Sequence, residues 1–402
     1  MRRRYIQLLA AFAVSALTLS GCADSTDSKD NSSGSKDDGP IIIGAAVAST
    51  GFMKSFDDPD MAGFKIAMDE VNAAGGINGR QIELITADSA STPEGAKKAA
   101  TDLISRGAEV LLVTANYDVG NPAGAVAEEN GILNVSIGAA SPKYGVQGVG
   151  PLAYTVAPPT YLEGATIAQY AQKEGWDHLF LLNDTSIDYS SEVCQGAEDQ
   201  AENLGMKTTE ATFQNADQSI ASQISEIKSS GADAIALCTY TPGGATAMRQ
   251  IRAAGVDLPT LSGIGMAGTY WLDAVPNLSN FYTASTASIF GDDPNAEVND
   301  FVATYTEQNG GAPATDAAVG GYSAGEMIFD ALEQTGGDTT GTALSDILET
   351  YQEKALLAGS TTFTPDLHMP ADRPLAIIKY TNGLPAYSET IEVDGDVDLH
   401  LG

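Results

Sequence analysis

Short apolar runs alternate with helical patterns along most of this 402-residue chain, and this alternation limits the possible folds more than any other feature. Val110 to Val113 is apolar at every position, which is typical of a parallel-sheet strand covered by helices on both faces. Met61, Phe64 and Met68 follow one another at spacings of three and four residues and so form one helix face. Alternating strands and helices predict an α/β fold built on parallel sheets.

The predicted elements fall into two similar halves. Residues 104–113 and 228–237 each contain a helix end, a glycine, a small residue followed by an acid, and an apolar strand. This repeat indicates two lobes of one topology. Residues 294–351 are mostly helical in pattern and precede strand-like segments, which indicates that the chain returns to the first lobe and ends on the second. The other predicted strands are residues 41–44, 81–86, 132–137, 179–182, 208–213, 234–237, 361–363 and 375–380, and the other predicted helices are residues 93–105, 161–173, 191–204, one starting at Pro122 and one through Ile220, Ile224 and Ile227.

Residues 1–21 have the pattern of a secretory signal peptide. Three arginines precede an apolar stretch from Leu8 to Leu19, which is shorter than the ~20 residues that cross a bilayer. Residues 19–22, Leu-Ser-Gly-Cys, resemble a bacterial lipobox, which implies that Cys22 carries fatty acids such as palmitate and becomes the mature N-terminus. An ordinary cleaved signal is the alternative, and export by the Sec or the twin-arginine route stays open.

Residues 22–40 are predicted to form a disordered tether, because Ser, Asp, Lys, Gly and Asn cannot bury enough apolar surface to fold. A tether behind a lipid anchor would hold the protein at the outer face of the cell membrane. Removal of residues 1–21 takes away three of the 20 basic side chains and none of the 53 acidic ones, which leaves a net charge of −36. So acidic a chain repels phosphate backbones, and nucleic-acid binding is excluded.

Side chains suited to catalysis or metal binding are sparse. The three histidines, His178, His368 and His400, do not form a metal-binding motif, and no phosphate loop, nucleophile elbow or Cys-x-x-Cys occurs. The sequence therefore predicts no enzyme, no cofactor and no metal site. Export permits a disulfide between Cys194 and Cys238, but two separate buried thiols fit the sequence equally well.

Several segments together resemble the branched-chain amino-acid-type solute-binding proteins of ABC importers. They are Gly76 to Leu84 with Asp88, Pro93 to Ala96, Gly138 to Pro142, Phe363 to Asp366 and Ala371 to Pro374. The resemblance extends from about Ile41 to Tyr387. It implies the type I periplasmic binding protein fold, with two doubly wound parallel-sheet lobes joined by three crossover strands near residues 156–158, 286–289 and 364–366. Lobe one would comprise residues 41–157 and 287–364, and lobe two residues 158–286 and 365–402.

Ligands collect at the carboxyl ends of parallel strands, which selects particular loops of each lobe. In amino-acid binders of this family, a hydroxyl and backbone N–H groups meet the carboxylate, and an acid of lobe two meets the ammonium. By this resemblance Tyr117 occupies the hydroxyl position, Ala140 replaces a threonine, and Ile264 occupies the acid position, with no carboxylate between residues 261 and 269. A buried ammonium without a partner is costly, so standard branched-chain amino acids are predicted to bind poorly.

Aromatic residues remain in these loops and suit an amide or an aromatic ligand. The predicted ligand-binding residues are Phe56, Tyr117, Gly138, Ala139, Ala140, Tyr189, Tyr240 and Ile264. The sequence and the resemblance together predict a monomeric, lipid-anchored protein that delivers a small organic solute to importer permease subunits and their ATPase. A sensory protein that presents its ligand to a signalling receptor is the alternative.

Overall fold

The computed structural model describes residues 39–401. The predicted signal peptide, the lipidation site Cys22 and most of the predicted tether lie outside the described residues. Among the described residues, no helix combines the length and the apolar character that a bilayer span requires.

Five parallel strands form the first sheet, in the order β2-β1-β3-β4-β5. Its strands and the helices between them are β1 (Ile41–Val47), α1 (Lys54–Ala73), β2 (Ile82–Asp88), α2 (Pro93–Ser105), β3 (Val110–Val113), α3 (Tyr117–Glu129), β4 (Asn134–Ser136) and β5 (Ala153–Thr155). β3 is buried at all four positions, as expected for a strand with helices on both faces of its sheet.

The chain then enters a second sheet through α4 (Thr160–Lys173), β6 (His178–Asp184), α5 (Asp188–Asn203), β7 (Lys207–Phe213), α6 (Ala221–Ser230), β8 (Ala234–Cys238), α7 (Gly243–Ala253), β9 (Thr260–Ser262) and β10 (Phe281–Ser285). It continues through α8 (Ala296–Asn309), α9 (Ala317–Gln334), α10 (Gly341–Leu348), the hairpin β11 (Lys354–Leu356) and β12 (Gly359–Thr361), and the final strands β13 (Leu375–Thr381) and β14 (Leu384–Ile391).

The second sheet has the order β14-β13-β10-β9-β8-β6-β7. Its first five strands in the sequence are parallel, whereas β13 is antiparallel to both β10 and β14. The predicted α/β architecture of two largely parallel sheets is confirmed, but this antiparallel edge departs from the purely parallel sheet predicted for the second lobe. β13 follows the two-stranded hairpin of β11 and β12. Because no crossover helix leads into β13, nothing requires it to run parallel to β10.

The late helical block packs on the first sheet. Phe329 of α9 contacts Phe64 of α1 with ring centroids 5.5 Å apart. The two helices approach closely because Gly321 has no side chain: a Cβ there would lie 1.8 Å from the backbone oxygen of Asp60. This approach places the N-terminal end of α9 beside Asp60, which is important for the site described below.

Asp57 fastens the loop after β1 to the end of β3. Its carboxylate accepts hydrogen bonds from the Ala48 amide at 2.6 Å, the Thr114 hydroxyl at 2.6 Å and the Ala115 amide at 3.0 Å. Burial raises its pKa to about 6, although these three donors favour the ionised form. Asp57 therefore holds in place two of the segments that form the wall of the site.

A disulfide joins Cys194 of α5 to Cys238 at the end of β8, with an S–S distance of 2.22 Å. The two cysteines are 44 residues apart in the sequence. The structure therefore contains a disulfide and not two separate buried thiols. It links α5, which carries Tyr189, to the strand that leads into Tyr240.

Candidate functional site

A cavity of about 90 Å³ lies at the carboxyl ends of strands from both sheets. The loops after β1, β3 and β4 form one side, and the segments after β6, β8 and β9 form the other. Its lining residues are Phe52, Met53, Phe56, Asp60, Ala115, Asn116, Ile137, Gly138, Ala140, Val156, Ala157, Pro158, Glu163, Ile187, Tyr189, Tyr240, Ile264, Gly265, Thr286, Asp316, Ala317 and Gly320. This is the position at which α/β proteins bind ligands.

Six of the eight residues predicted from the sequence line this cavity, namely Phe56, Gly138, Ala140, Tyr189, Tyr240 and Ile264. Tyr117 and Ala139 do not. α3 begins at Tyr117 rather than at Pro122, and the Tyr117 hydroxyl accepts a hydrogen bond from Asn121 at 3.2 Å. Ala139 is fully buried in the core beside the sheet, and its amide donates to the Ser136 hydroxyl at 2.8 Å.

Aromatic side chains from the two sides of the cavity meet each other. The Phe52 and Tyr240 ring centroids are 5.6 Å apart, and those of Phe56 and Tyr270 are 6.4 Å apart in an edge-on arrangement. In each pair, the phenylalanine follows β1 of the first sheet and the tyrosine belongs to the second half of the fold. These pairs give the cavity an apolar, aromatic rim.

Polar contacts also join the two sides. Lys143, which follows β4, places its ammonium 2.6 Å from Asp188 and 3.3 Å from Glu192, both in α5. The hydroxyls of Ser141 and Thr160 donate to the Glu192 carboxylate at 2.9 and 2.8 Å. The structure therefore has contacts across the cavity at more than one point.

Glu163 in the first turn of α4 supplies a buried carboxylate to the cavity. One of its oxygens, Oε2, accepts hydrogen bonds from the Ile264 amide at 2.9 Å and the Tyr189 hydroxyl at 2.8 Å. The Gly265 amide in turn donates to the Tyr189 hydroxyl at 2.7 Å. The expectation that no acid lies near Ile264 is therefore wrong. Glu163, about a hundred positions earlier in the chain, accepts a hydrogen bond from Ile264 in the folded structure.

The other Glu163 oxygen, Oε1, is buried and has no hydrogen-bond partner among the described residues. Burial raises the pKa of Glu163 to about 8, which outweighs the two hydrogen bonds that favour the ionised form. The nearby carboxylate of Asp316 also raises this pKa. The side chain is thus poised to change its charge near neutral pH.

Two further buried acids line the cavity. Asp60 of α1 is 1% exposed, and neither of its carboxylate oxygens has a hydrogen-bond partner among the described residues. Asp316, just before α9, accepts from the Thr286 amide at 2.7 Å through Oδ2, whereas its Oδ1 has no such partner. Burial raises the pKa of Asp316 to about 6, and burial together with Asp57 and Asp316 raises the pKa of Asp60 well above its ordinary range.

Sequence reasoning missed these three acids, although their positions carry a signal. Asp60 lies one helical turn before Phe64 on the buried face of α1. Glu163 stands in a helix that is buried at each of its first twelve positions. An acid on an otherwise apolar helix face is rare unless it is paired or functional. Within residues 39–401, no group of three or more histidines, cysteines or acids is arranged to hold a metal ion.

A family model described as "Periplasmic binding protein" matches residues 40–384, which is most of the chain. The chain belongs to the periplasmic binding protein family. Members of this family are substrate-binding proteins, not enzymes, and the resemblance to branched-chain amino-acid-type solute-binding proteins of ABC transporters is confirmed.

The chain is similar to proteins that bind different kinds of solute, of which three are described. Leu/Ile/Val-binding protein homolog 3 of Brucella melitensis is 24% identical over 85% of this chain and 92% of its own length. A branched-chain amino acid transporter substrate binding protein of Streptococcus pneumoniae, solved in complex with isoleucine, is 22% identical with a TM-score of 0.78 over 88% of this chain and 99% of its own. A solute binding protein of an ABC transporter from R. palustris, solved in complex with benzoate, is 18% identical with a TM-score of 0.74 over 89% and 99%.

Proposed function

We propose that this protein captures a small organic solute in the cavity between its two sheets and delivers the solute to the permease and ATPase of an ABC importer. The observation that carries the proposal is a cavity with walls from both halves of the chain, at the carboxyl ends of the strands. Such a site can close around a solute and present one surface to a permease when closed and another when open. We propose that the protein acts as a monomer.

The lobes of this proposal are residues 41–157 with 287–364 and residues 158–286 with 365–402. Hinge closure about the crossovers is the motion expected of this architecture. The contacts of Lys143 with Asp188 and of Phe52 with Tyr240 join the two lobes. Opening would break these contacts and give the solute access to the acids beneath them.

Glu163 supplies an acid beside Ile264, so the lack of an ammonium partner no longer counts against branched-chain amino acids. The aromatic residues Phe56, Tyr189 and Tyr240, which suit an amide or an aromatic ligand, line the cavity. The three buried acids of the cavity are a further constraint on the class of the solute.

Solute capture is tested by thermal unfolding in the presence of amino acids, amines, amides, urea derivatives and aromatic acids. A solute at about 100 times its dissociation constant adds about 2.7 kcal/mol to the free energy of unfolding. We expect at least one class to raise the melting temperature, and to lose its effect when Tyr240 and Glu163 are replaced together. If every class leaves the melting temperature unchanged, the protein is not a receptor for a small organic solute.

The lipid anchor is tested by the substitution Cys22→Ser. We expect the wild-type protein in the membrane fraction and the variant in the soluble fraction, because the variant lacks the thiol that would be acylated. The melting temperature should not change, since the hydrophobic core of the described residues begins at Ile41, after the predicted tether. Wild-type protein that is soluble and has an unmodified N-terminus would contradict lipid anchoring while leaving solute capture intact.

A further inference from the structure

The cavity contains acceptors of hydrogen bonds that the protein itself does not use. Asp60 has two such oxygens, Glu163 has one and Asp316 has one, and all three side chains are at least 97% buried. More than about nine in ten buried polar groups in proteins are hydrogen-bonded. Three incompletely bonded acids in one cavity are therefore best explained by a bound partner that supplies the missing donors.

The charges on the cavity wall have one sign. No lysine, arginine or histidine is among the residues that line the cavity, and the described residues hold no candidate metal cluster. An isolated ionised carboxylate in such a place is costly unless it is paired with a positive charge. A partner that brings positive charge and N–H donors would stabilise these acids in their ionised form.

We propose that the cavity binds a small organic cation, an alkylammonium group on a short apolar stem. This inference rests on the proposed function, since it names the class of solute that the cavity would take. The ammonium would lie among Asp60, Glu163 and Asp316, where it can donate to the unused oxygens. The apolar stem would lie against Phe52, Phe56 and Tyr240, whose ring faces also attract a cation.

The hydrogen bonds already present favour this cation over an anionic or a neutral solute. Oε2 of Glu163 accepts from both Ile264 and Tyr189, which is an arrangement that stabilises a carboxylate, and Oε1 is left as an acceptor. An ionised benzoate would meet three acids and no base. A neutral amide brings no positive charge to stabilise these acids in their ionised form. The raised pKa of Glu163, about 8, indicates that this carboxylate lacks a cationic partner in the free protein.

The test uses two sets of compounds, each of which keeps one carbon skeleton and changes the functional group from cationic to neutral to anionic. Isobutylamine, isobutyramide and isobutyrate form the small set, and benzylamine, benzamide and benzoate form the larger one. Melting temperatures and calorimetric affinities are measured at pH 8.5 for the full chain and for the variants Asp60→Asn and Glu163→Gln. Asp69→Asn, an exposed acid on the same helix as Asp60, is the matched control.

We expect an amine to raise the melting temperature of the wild-type protein, and the amide and the acid of its set to have little effect. Asp60→Asn and Glu163→Gln should each weaken binding of the amine at least tenfold, and Asp69→Asn should leave it unchanged. The proposal is overturned if an amide or a carboxylate binds more tightly than its matched amine, or if neither amine binds. The thermal-unfolding screen over all solute classes tests solute capture separately. A failure of the cation proposal can therefore be distinguished from a failure of solute capture.

Discussion

Replacing Asp57 by alanine is expected to lower the free energy of unfolding by about 3 kcal/mol, because several buried donors lose their shared acceptor. The Ala48 amide, the Thr114 hydroxyl and the Ala115 amide all donate to this carboxylate. Among residues 39–401, the Thr114 hydroxyl donates to no other acceptor. The loss is measured by urea unfolding at pH 7.5, where Asp57 is ionised.

The matched control is Asp58→Ala. Asp58 is the next residue of α1, its side chain is 52% exposed, and its ion pair with Lys54 is one turn away on the helix surface. Exposed pairs of this kind contribute between about 0 and 1 kcal/mol. Equal losses for the two variants would mean that Asp57 does not fasten the loop after β1 to β3. Asp57→Ala should also weaken solute binding, since that loop carries Phe52 and Met53 into the cavity wall.

The ligand-free protein is expected to become less stable as the pH rises from about 5 to about 9, and Glu163 is expected to cause a large part of the change. Its pKa is raised to about 8 in the folded protein from an ordinary value of 4.5. The folded state therefore holds a proton that the unfolded state has already released. The free energy of unfolding is therefore highest below the pKa that Glu163 has in the unfolded state, and it decreases as the pH rises through the pKa of the folded state. Each unit of difference corresponds to about 1.4 kcal/mol, so a few kcal/mol are at stake.

Glu163→Gln isolates this contribution, because glutamine keeps an oxygen for the Ile264 amide and the Tyr189 hydroxyl but does not titrate. We expect the variant to be more stable than the wild type at pH 9 and about equally stable at pH 5. The titratable groups that face Glu163 are Tyr189, whose hydrogen bond lowers the pKa of Glu163, and Asp316, whose charge raises it. A difference between variant and wild type that stays constant from pH 5 to 9, measured by urea unfolding, would refute a raised pKa for Glu163.

Much of the fold could be predicted because the sequence pattern that indicates each helix or strand lies within that element. The apolar run of β3 and the proline and glycine positions around α2 lie within single elements, and the structure has both elements at the predicted residues. The sequence patterns predict neither β9 nor β10, since β9 is only three residues long and the segment between the two strands contains only two short 3-10 helices and turns. The antiparallel pairing of β13 was also beyond a local pattern, because it depends on where the chain re-enters the second sheet.

The site was only partly predictable because proximity in the cavity is not proximity in the sequence. Loops after parallel strands could be identified, and Tyr189 and Tyr240 follow from that rule. Glu163 belongs to a helix that begins just after the predicted first crossover, and its distance from Ile264 depends on how α4 packs on the second sheet. Asp60 approaches Asp316 only because Gly321 lets α9 lie directly on α1. No spacing pattern in the sequence predicts either of these contacts.

A crystal structure of the protein with the amine that stabilises it most strongly would show whether the cavity between the sheets holds the solute. We expect ligand density within hydrogen-bond distance of Glu163 and at least one of Asp60 and Asp316, with the stem against Tyr240. Tight binding in solution with an empty cavity, or with density outside the space between the two sheets, would show that the solute binds elsewhere.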